Sequence, residues 1–456
     1  MKKELFGTEF LVMRDTFRRL LRRHARTNLI NLLEKTHPAD MAQVYRYFNE
    51  TEQKALFELM PENEATADFL LEVDDTIASE LLAEEEQGRI SKILKTLSAA
   101  DQVEILNYLP EEKRQYIIDH LADTTQREVE EILAYPEDSA GSLMYTDVFT
   151  LHEETFAKDA IAAIQDQANV SMVFYLYVTD DAGKLNGVIS LRDLVTTPGN
   201  TQLKDVMGRR VQSVRPEMDQ EEVARIVSRY NYLAVPVTSE EGKLLGIVTV
   251  DDVLDVIREE ATEDFLKMAG VGKDREILLK STWDNAKSRI PWLFASWIGG
   301  VMAAVIIGIF DHMLQSVLAL AAFIPVIIGM GGNIGTQSST LIVRGIATGR
   351  VDIGNNLKVI FKEVRVGLVL GSFYGILLGL FAYFRFLDAS PYLGVVVGLS
   401  IFSSMLIAAT IGTFVPLVLR RMDIDPAIAT GPFVTTSIDI LGVSIYFLIA
   451  TLFLTF

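Results

Sequence analysis

The chain has 456 residues, no cysteine, and a formal net charge of −19. The missing cysteines exclude disulfides and thiolate metal sites, which suits a reducing cytoplasm. An acidic balance argues against nucleic acid and against docking on anionic lipid, and it favours cations. The charge is uneven: the first 290 residues hold 54 acids against 34 bases, whereas Pro291 to Phe456 holds seven acids and eight bases.

The first thirty residues are basic but lack a continuous apolar core, so they do not read as a secretory signal. Arg18, Arg19, Arg22 and Arg23 instead coat a helix face. From residue 30 to about 135, short amphipathic patterns such as HPADMAQVYRYF and LSAADQVEILNYL predict an all-α domain, 1–135, built as a helical superhelix or bundle. YPEDSAGS then reads as a linker.

A duplication follows. YVTDDAGKLNGVISLRDLV, Tyr177 to Val195, aligns without a gap on PVTSEEGKLLGIVTVDDVL, Pro236 to Leu254. Each copy predicts a strand, a glycine turn, a second strand, and a Ser or Thr opening a helix, with AKDAIAAIQDQ and QEEVARIVSRY as preceding helices. The expected units are two α/β modules at 140–204 and 205–262. The second leads into DDVLDVIREEATEDFLKMAGV, a helix crowded with carboxylates at three- and four-residue spacing. That pattern is either a solvated acidic face or a surface that hard divalent cations bridge. A connecting helix over 263–288 reaches the membrane part.

The remainder, 289–456, predicts five transmembrane helices at about 291–312, 313–343, 363–387, 389–420 and 425–456. Lys280, Lys287 and Arg289, then Arg344, Arg350, Lys358, Lys362 and Arg365, then Arg420 and Arg421 flank one side, against Arg385 on the other. The positive-inside rule places the N-terminus in the cytoplasm and the C-terminus outside an inner, or plasma, membrane. Asp439 stands alone within an apolar segment. An acid at membrane depth costs a few kcal/mol and normally faces protein or a wet path, which predicts ion movement. The glycines at 329, 331, 332 and 335 suit either close helix packing or a kinked helix that turns carbonyls toward water. Asp425 is an entrance acid or a helix-start acid beside Pro426. His24, His37, His120, His152 and His312 are scattered and form no nucleophile–base pair, which argues against an enzyme.

Two long motifs, PVIIGMGGNIGTQSSTLIVRGIATG (Pro325 to Gly349) and DPAIATGPFVTTSIDILGVSIYF (Asp425 to Phe447), together with the order of domains, resemble the MgtE family of magnesium channels over almost the full length. The duplicated modules resemble cystathionine-β-synthase (CBS) domains. The resemblance implies a homodimer with its pore on the two-fold axis, carrying Mg²⁺ into the cytoplasm and closed by cytoplasmic Mg²⁺ bound between the N-terminal domain, the CBS pair and a plug helix. In that frame Asp439, Asn333, Thr435 and Asp425 are pore residues. Asp68, Glu104, Asp219, Glu221, Asp252, Asp255, Glu260, Glu263 and Asp264 are sensor acids, with Ala100 and Asn231 standing where further acids are expected. For ATP at the CBS pair, Tyr175, Arg192, Asp193, Tyr232 and Pro236 form the implied pocket. Oxygen ligands without Cys or clustered His tilt the choice toward Mg²⁺ over Mn²⁺, Co²⁺ or Ni²⁺. A proton- or sodium-coupled transporter of another dication is the alternative, opposed by the lack of an inverted repeat and of other buried charges in the membrane part. A membrane-anchored nucleotide receptor leaves Asp439 unexplained.

Overall fold

The computed structural model describes residues 2–166, 174–272, 280–351, 356–388, 390–422 and 424–454. Residues 273–279 of the expected connecting segment therefore lie outside the described residues. The chain divides into two compact units, Met1–Ile257 and Arg258–Phe456.

In the first unit, ten helices run from Lys2 to Leu133, the first of 21 residues and the rest of 8 to 11. Their ends are written locally. Asn49 closes a capping box with Glu52, and Ser98 accepts from the Asp101 amide at 3.2 Å, each satisfying a donor that a helix start leaves free. The inward faces meet in one core that includes Phe17, Tyr45, Leu56, Phe69, Leu82 and Ile93, all at most 2% exposed. Large side chains removed from water at that density drive the packing of these helices, since no single eight-residue helix is stable alone.

The duplicated modules fold alike. In the first, Thr150–His152 runs parallel to Tyr175–Thr179, which pairs antiparallel with Leu185–Ser190. In the second, Ala234–Thr238 pairs antiparallel with Leu244–Thr249. Tyr175 faces Ser190 as Ala234 faces Thr249, and both hairpins shift register one residue before the turn. Gly183 and Gly242 sit at φ 76° and 84°, a backbone state that side chains disfavour, so the turn needs glycine in both copies.

Among the described residues of the second unit, five helices are long and apolar enough to cross a membrane: Thr282–Ile309, Ile324–Ala347, Asn356–Arg385, Leu393–Arg421 and Pro432–Phe453. Their bounds differ from the apolar runs for local reasons. The first starts at Thr282 because Ser281 accepts from the Asp284 amide at 3.3 Å, which carries a charged turn into the helix. The second is preceded by a 3₁₀ turn, Leu318–Phe323, and restarts with Pro325 in its first turn, where a missing N–H costs nothing. The fifth begins at Pro432 after a separate turn, Ala427–Thr430.

Candidate functional site

The second, fourth and fifth spans share a buried core containing Ile327, Ile334, Val397, Ile401, Ile438 and Tyr446. The Tyr446 hydroxyl closes it by donating to the Leu320 carbonyl at 2.9 Å. Two of the four glycines, Gly331 and Gly335, lie tightly against the fourth and fifth spans. Ile324–Ala347 is a continuous α-helix through all four glycines. A Cβ on Gly335 would overlap Ile438, and one on Gly412 would overlap the Gly335 carbonyl, so backbone lies against backbone there. The first span docks in the same way, with Gly299 against Thr436.

This close approach brings Asp439 to the second span: a Cβ on Gly332 would lie 3.8 Å from Asp439 Oδ1. Asp439 is half-buried, and among the described residues no hydrogen bond or ion pair engages its carboxylate. Beside it, Gly329, Asn333 and Gln337 form an exposed stripe one turn apart, with Thr340 next along it. Gln337 and Thr340 were not singled out from the sequence; their signal was the spacing of four and seven residues from Asn333. Thr435, half-buried, donates back to the Gly431 carbonyl at 3.1 Å. Asp425 has other company: Oδ1 accepts from the Ala427 amide at 2.8 Å, and Oδ2 accepts from Lys267 Nζ at 2.6 Å.

One expectation fails here. The membrane part does contain a second buried acid, Glu363, only 8% exposed, accepting from the Ser338 hydroxyl at 3.0 Å. It stands at the edge of the span expected over 363–387, three residues before the uncharged run that opens at Val366, where composition reads an acid as facing the aqueous border. Helix packing against Ser338 buries it instead.

The sensor candidates occupy several separate places. Asp252 Oδ2 accepts from the Thr249 amide and hydroxyl at 3.2 and 2.5 Å. Its Oδ1 accepts from Tyr145, whose hydroxyl also lies 3.1 Å from Asp101 Oδ1. Burial pushes the Asp252 carboxyl upward against the Thr249 hydrogen bonds, and the Asp101 charge adds to the rise. Burial raises Asp68 as well, with Glu64 and Asp101 adding like charge. Asp101 thus belongs with Asp68 and Asp252; the sequence reading missed it because it also serves as the first-turn partner of Ser98. Glu104 joins Asp75 through Tyr108, whose hydroxyl lies 3.0 Å from each carboxylate. Asp219 caps the helix Gln220–Tyr230 by accepting from the Glu221 amide at 2.9 Å. Asn231 ends that helix at φ 53°, a left-handed position that asparagine tolerates.

Asp255 is exposed and Glu260, Glu263 and Asp264 are half-buried along the helix Val250–Met268. Lys267 Nζ lies 2.5 Å from Glu263 Oε1. Burial lowers the Lys267 pKa, but hydrogen bonds and charge from Asp425 and Glu263 outweigh it and push it up to about 12. Among the described residues no three acids or histidines converge in a metal-ligand group.

Of the nucleotide candidates, Tyr175 opens its strand opposite Ser190, whose hydroxyl donates to Asp193 at 2.7 Å, with Arg192 exposed beside it. Pro236 is buried in the second sheet, and Tyr232 stacks on Tyr230 with ring centroids 5.4 Å apart.

Comparison with known proteins places these features in a family. Residues 324–449 match the profile of a divalent cation transporter, 36–138 that of the MgtE intracellular N domain, and 140–198 and 203–259 that of CBS domains. The magnesium transporter MgtE of Thermus thermophilus is 35% identical over 432 residues, 93% of this chain and 95% of that one. Its Bacillus subtilis counterpart is 32% identical over 425 residues, 93% of each. Among solved structures, the cytosolic domain of the Mg²⁺ channel MgtE in complex with ATP aligns with a TM-score of 0.51 at 32% identity, covering 53% of this chain and 99% of that one. The fold is thus an N-terminal helical domain, tandem CBS domains and a five-helix membrane part, and the chain is a multi-pass membrane protein belonging to the MgtE family of magnesium transporters.

Proposed function

We propose that the protein is a homodimeric channel of the plasma membrane that carries Mg²⁺ into the cytoplasm and is closed by cytoplasmic Mg²⁺. One observation carries the reading: Asp439, a carboxylate with no protein partner among the described residues, lies beside a glycine on the neighbouring span. Two such carboxylates across a two-fold axis would attract a hydrated dication, because Mg²⁺ sheds water reluctantly and prefers one or two acids with waters retained. The exposed Asn333, Gln337 and Thr340 give the same face a polar lining, and Thr435 would line the path next to Asp439. Loop charge puts the N-terminus inside and the C-terminus outside. Regulation rests on Asp68, Asp101, Glu104 and Asp252, which lie in acid pairs or clusters that a dication would relieve, together with Asp219, Glu221, Asp255, Glu260, Glu263 and Asp264. ATP is a second ligand, held at Tyr175, Arg192 and Asp193 with Tyr232 and Pro236.

Flux of each dication into liposomes, for the intact protein and for Asp439→Asn, tests the pore; normal flux in the variant sinks it. Glu363 supports a second reading, proton-coupled transport, since a buried intramembrane acid can carry a proton. Proton movement accompanying Mg²⁺ flux, abolished by Glu363→Gln, would favour that reading.

A further inference from the structure

Lys267 bridges two acids on different elements, Glu263 one turn earlier on its own helix and Asp425 just before the last span. The end of this helix is packed rather than dangling. A Cβ on Gly431 would lie 3.5 Å from the Met268 carbonyl, and Gly270, at φ 69°, lies against Trp292 and Pro432. Both acids sit within 2.6 Å of one nitrogen, so their oxygens are no farther apart than those two bonds combined. Mg²⁺ holds oxygens at about 2.1 Å and so spans a pair up to about 4.2 Å apart. The pair holds an ammonium at 2.5 and 2.6 Å, and each carboxylate would close in by about 0.5 Å to take a dication directly.

We propose that Lys267 is a built-in occupant of the cation position formed by Glu263 and Asp425, an ammonium that an arriving Mg²⁺ must displace before it can bridge those carboxylates. The proposal rests on the reading of that acid pair as Mg²⁺ ligands. A lysine ammonium is a compact, hydrated point charge on a flexible stem, so it neutralises the pair without fixing it and can swing away. It carries one charge against two, and displacement therefore favours the dication only above a threshold concentration. Monovalent ions gain nothing by the exchange. Lys267 is thus a positioning residue that sets how much Mg²⁺ is needed to occupy the junction between the connecting helix and the last span.

The test is amine acetylation of the full-length protein in lipid, with the rate at Lys267 read by mass spectrometry against Lys280 and Lys287 as internal controls. Raising Mg²⁺ should increase Lys267 labelling severalfold while the controls stay level, and Asp425→Asn should raise it without Mg²⁺. In parallel, Lys267→Gln should lower the Mg²⁺ concentration that half-closes the channel by about tenfold, since one opposing charge is gone. Lys267→Arg should leave the midpoint near that of the parent. Labelling that is flat or falls with Mg²⁺, or a Lys267→Gln midpoint equal to the parent's or higher, overturns the proposal. Normal flux through Asp439→Asn would overturn the pore reading alone, because the labelling does not depend on transport.

Discussion

The soluble and membrane units treat their acids in opposite ways. In the soluble unit Asp101 and Asp252 meet at the Tyr145 hydroxyl, and Asp75 and Glu104 meet at that of Tyr108. A hydroxyl carries one proton, so each tyrosine donates to one carboxylate at a time while holding the two acids close. In the membrane unit Glu363 has the Ser338 hydroxyl, Asp425 has Lys267, and Asp439 has no such partner among the described residues. An acid that folding leaves without a protein partner in an apolar layer is the one free to bind a passing ion. The same residue type closes a helix end in one place and stays without a protein partner among the described residues in another, and the neighbours decide which.

The contrast breaks most directly at Asp439. Substitution by Asn keeps shape and removes a membrane-depth charge worth about 3 kcal/mol, which corresponds to roughly a hundredfold in ion occupancy. Mg²⁺ flux should fall at least that far while size-exclusion behaviour and melting are retained. Glu363→Gln, whose acid has a serine partner, should lose much less under a channel mechanism.

Next in size is the backbone packing that presents Asp439. Gly412→Ala pushes a methyl group into the Gly335 carbonyl and should cost about 1–3 kcal/mol by overpacking. Gly300, with no neighbour within 4 Å, should accept alanine and gain up to about 1 kcal/mol of helix propensity. Melting of the two variants in detergent separates these outcomes, and equal shifts would mean the glycines are interchangeable.

Tyr145→Phe sharpens the soluble side. Removing a hydroxyl that serves two acids should destabilise the unit by about 1–2 kcal/mol near neutral pH. Denaturant unfolding of the full chain followed at the N-terminal domain reads this, and added Mg²⁺ should recover part of it.

The smallest effect is on pH dependence. Asp252 and Asp68 have folded pKa values raised above the usual carboxylate value, so the folded state binds more protons than the unfolded one between those two values. Stability from these groups is therefore greatest below the unfolded carboxylate pKa and is lost as pH rises through the raised folded value. Melting of the soluble unit should show that slope in chelator, and Asp252→Asn should flatten it.

Much of this was legible in the residue order. The gapless repeat predicts two equivalent hairpins because Gly183 and Gly242, and Ser190 and Thr249, are local requirements of turn and cap. The apolar runs predict five spans because length and charge alone decide whether a segment can lie in lipid. Asp439 stood out on the same ground. Asp101, Glu363 and Lys267 were missed because each has an ordinary local role, as a first-turn acid, a residue at a span's edge, and a base near a helix end.

By itself the sequence determined the order of domains, the duplication, the five spans and the isolation of Asp439, since these depend on periodicity, local backbone preference and the cost of charge in an apolar layer. Only the tertiary structure decided that the glycine run packs as an unbroken helix, that Glu363 is buried against Ser338, and that Lys267 holds Glu263 and Asp425 together. Each of those turns on which side chains meet across helices far apart in the chain, and a pairing at a sequence separation of 158, as between Lys267 and Asp425, leaves no periodic trace.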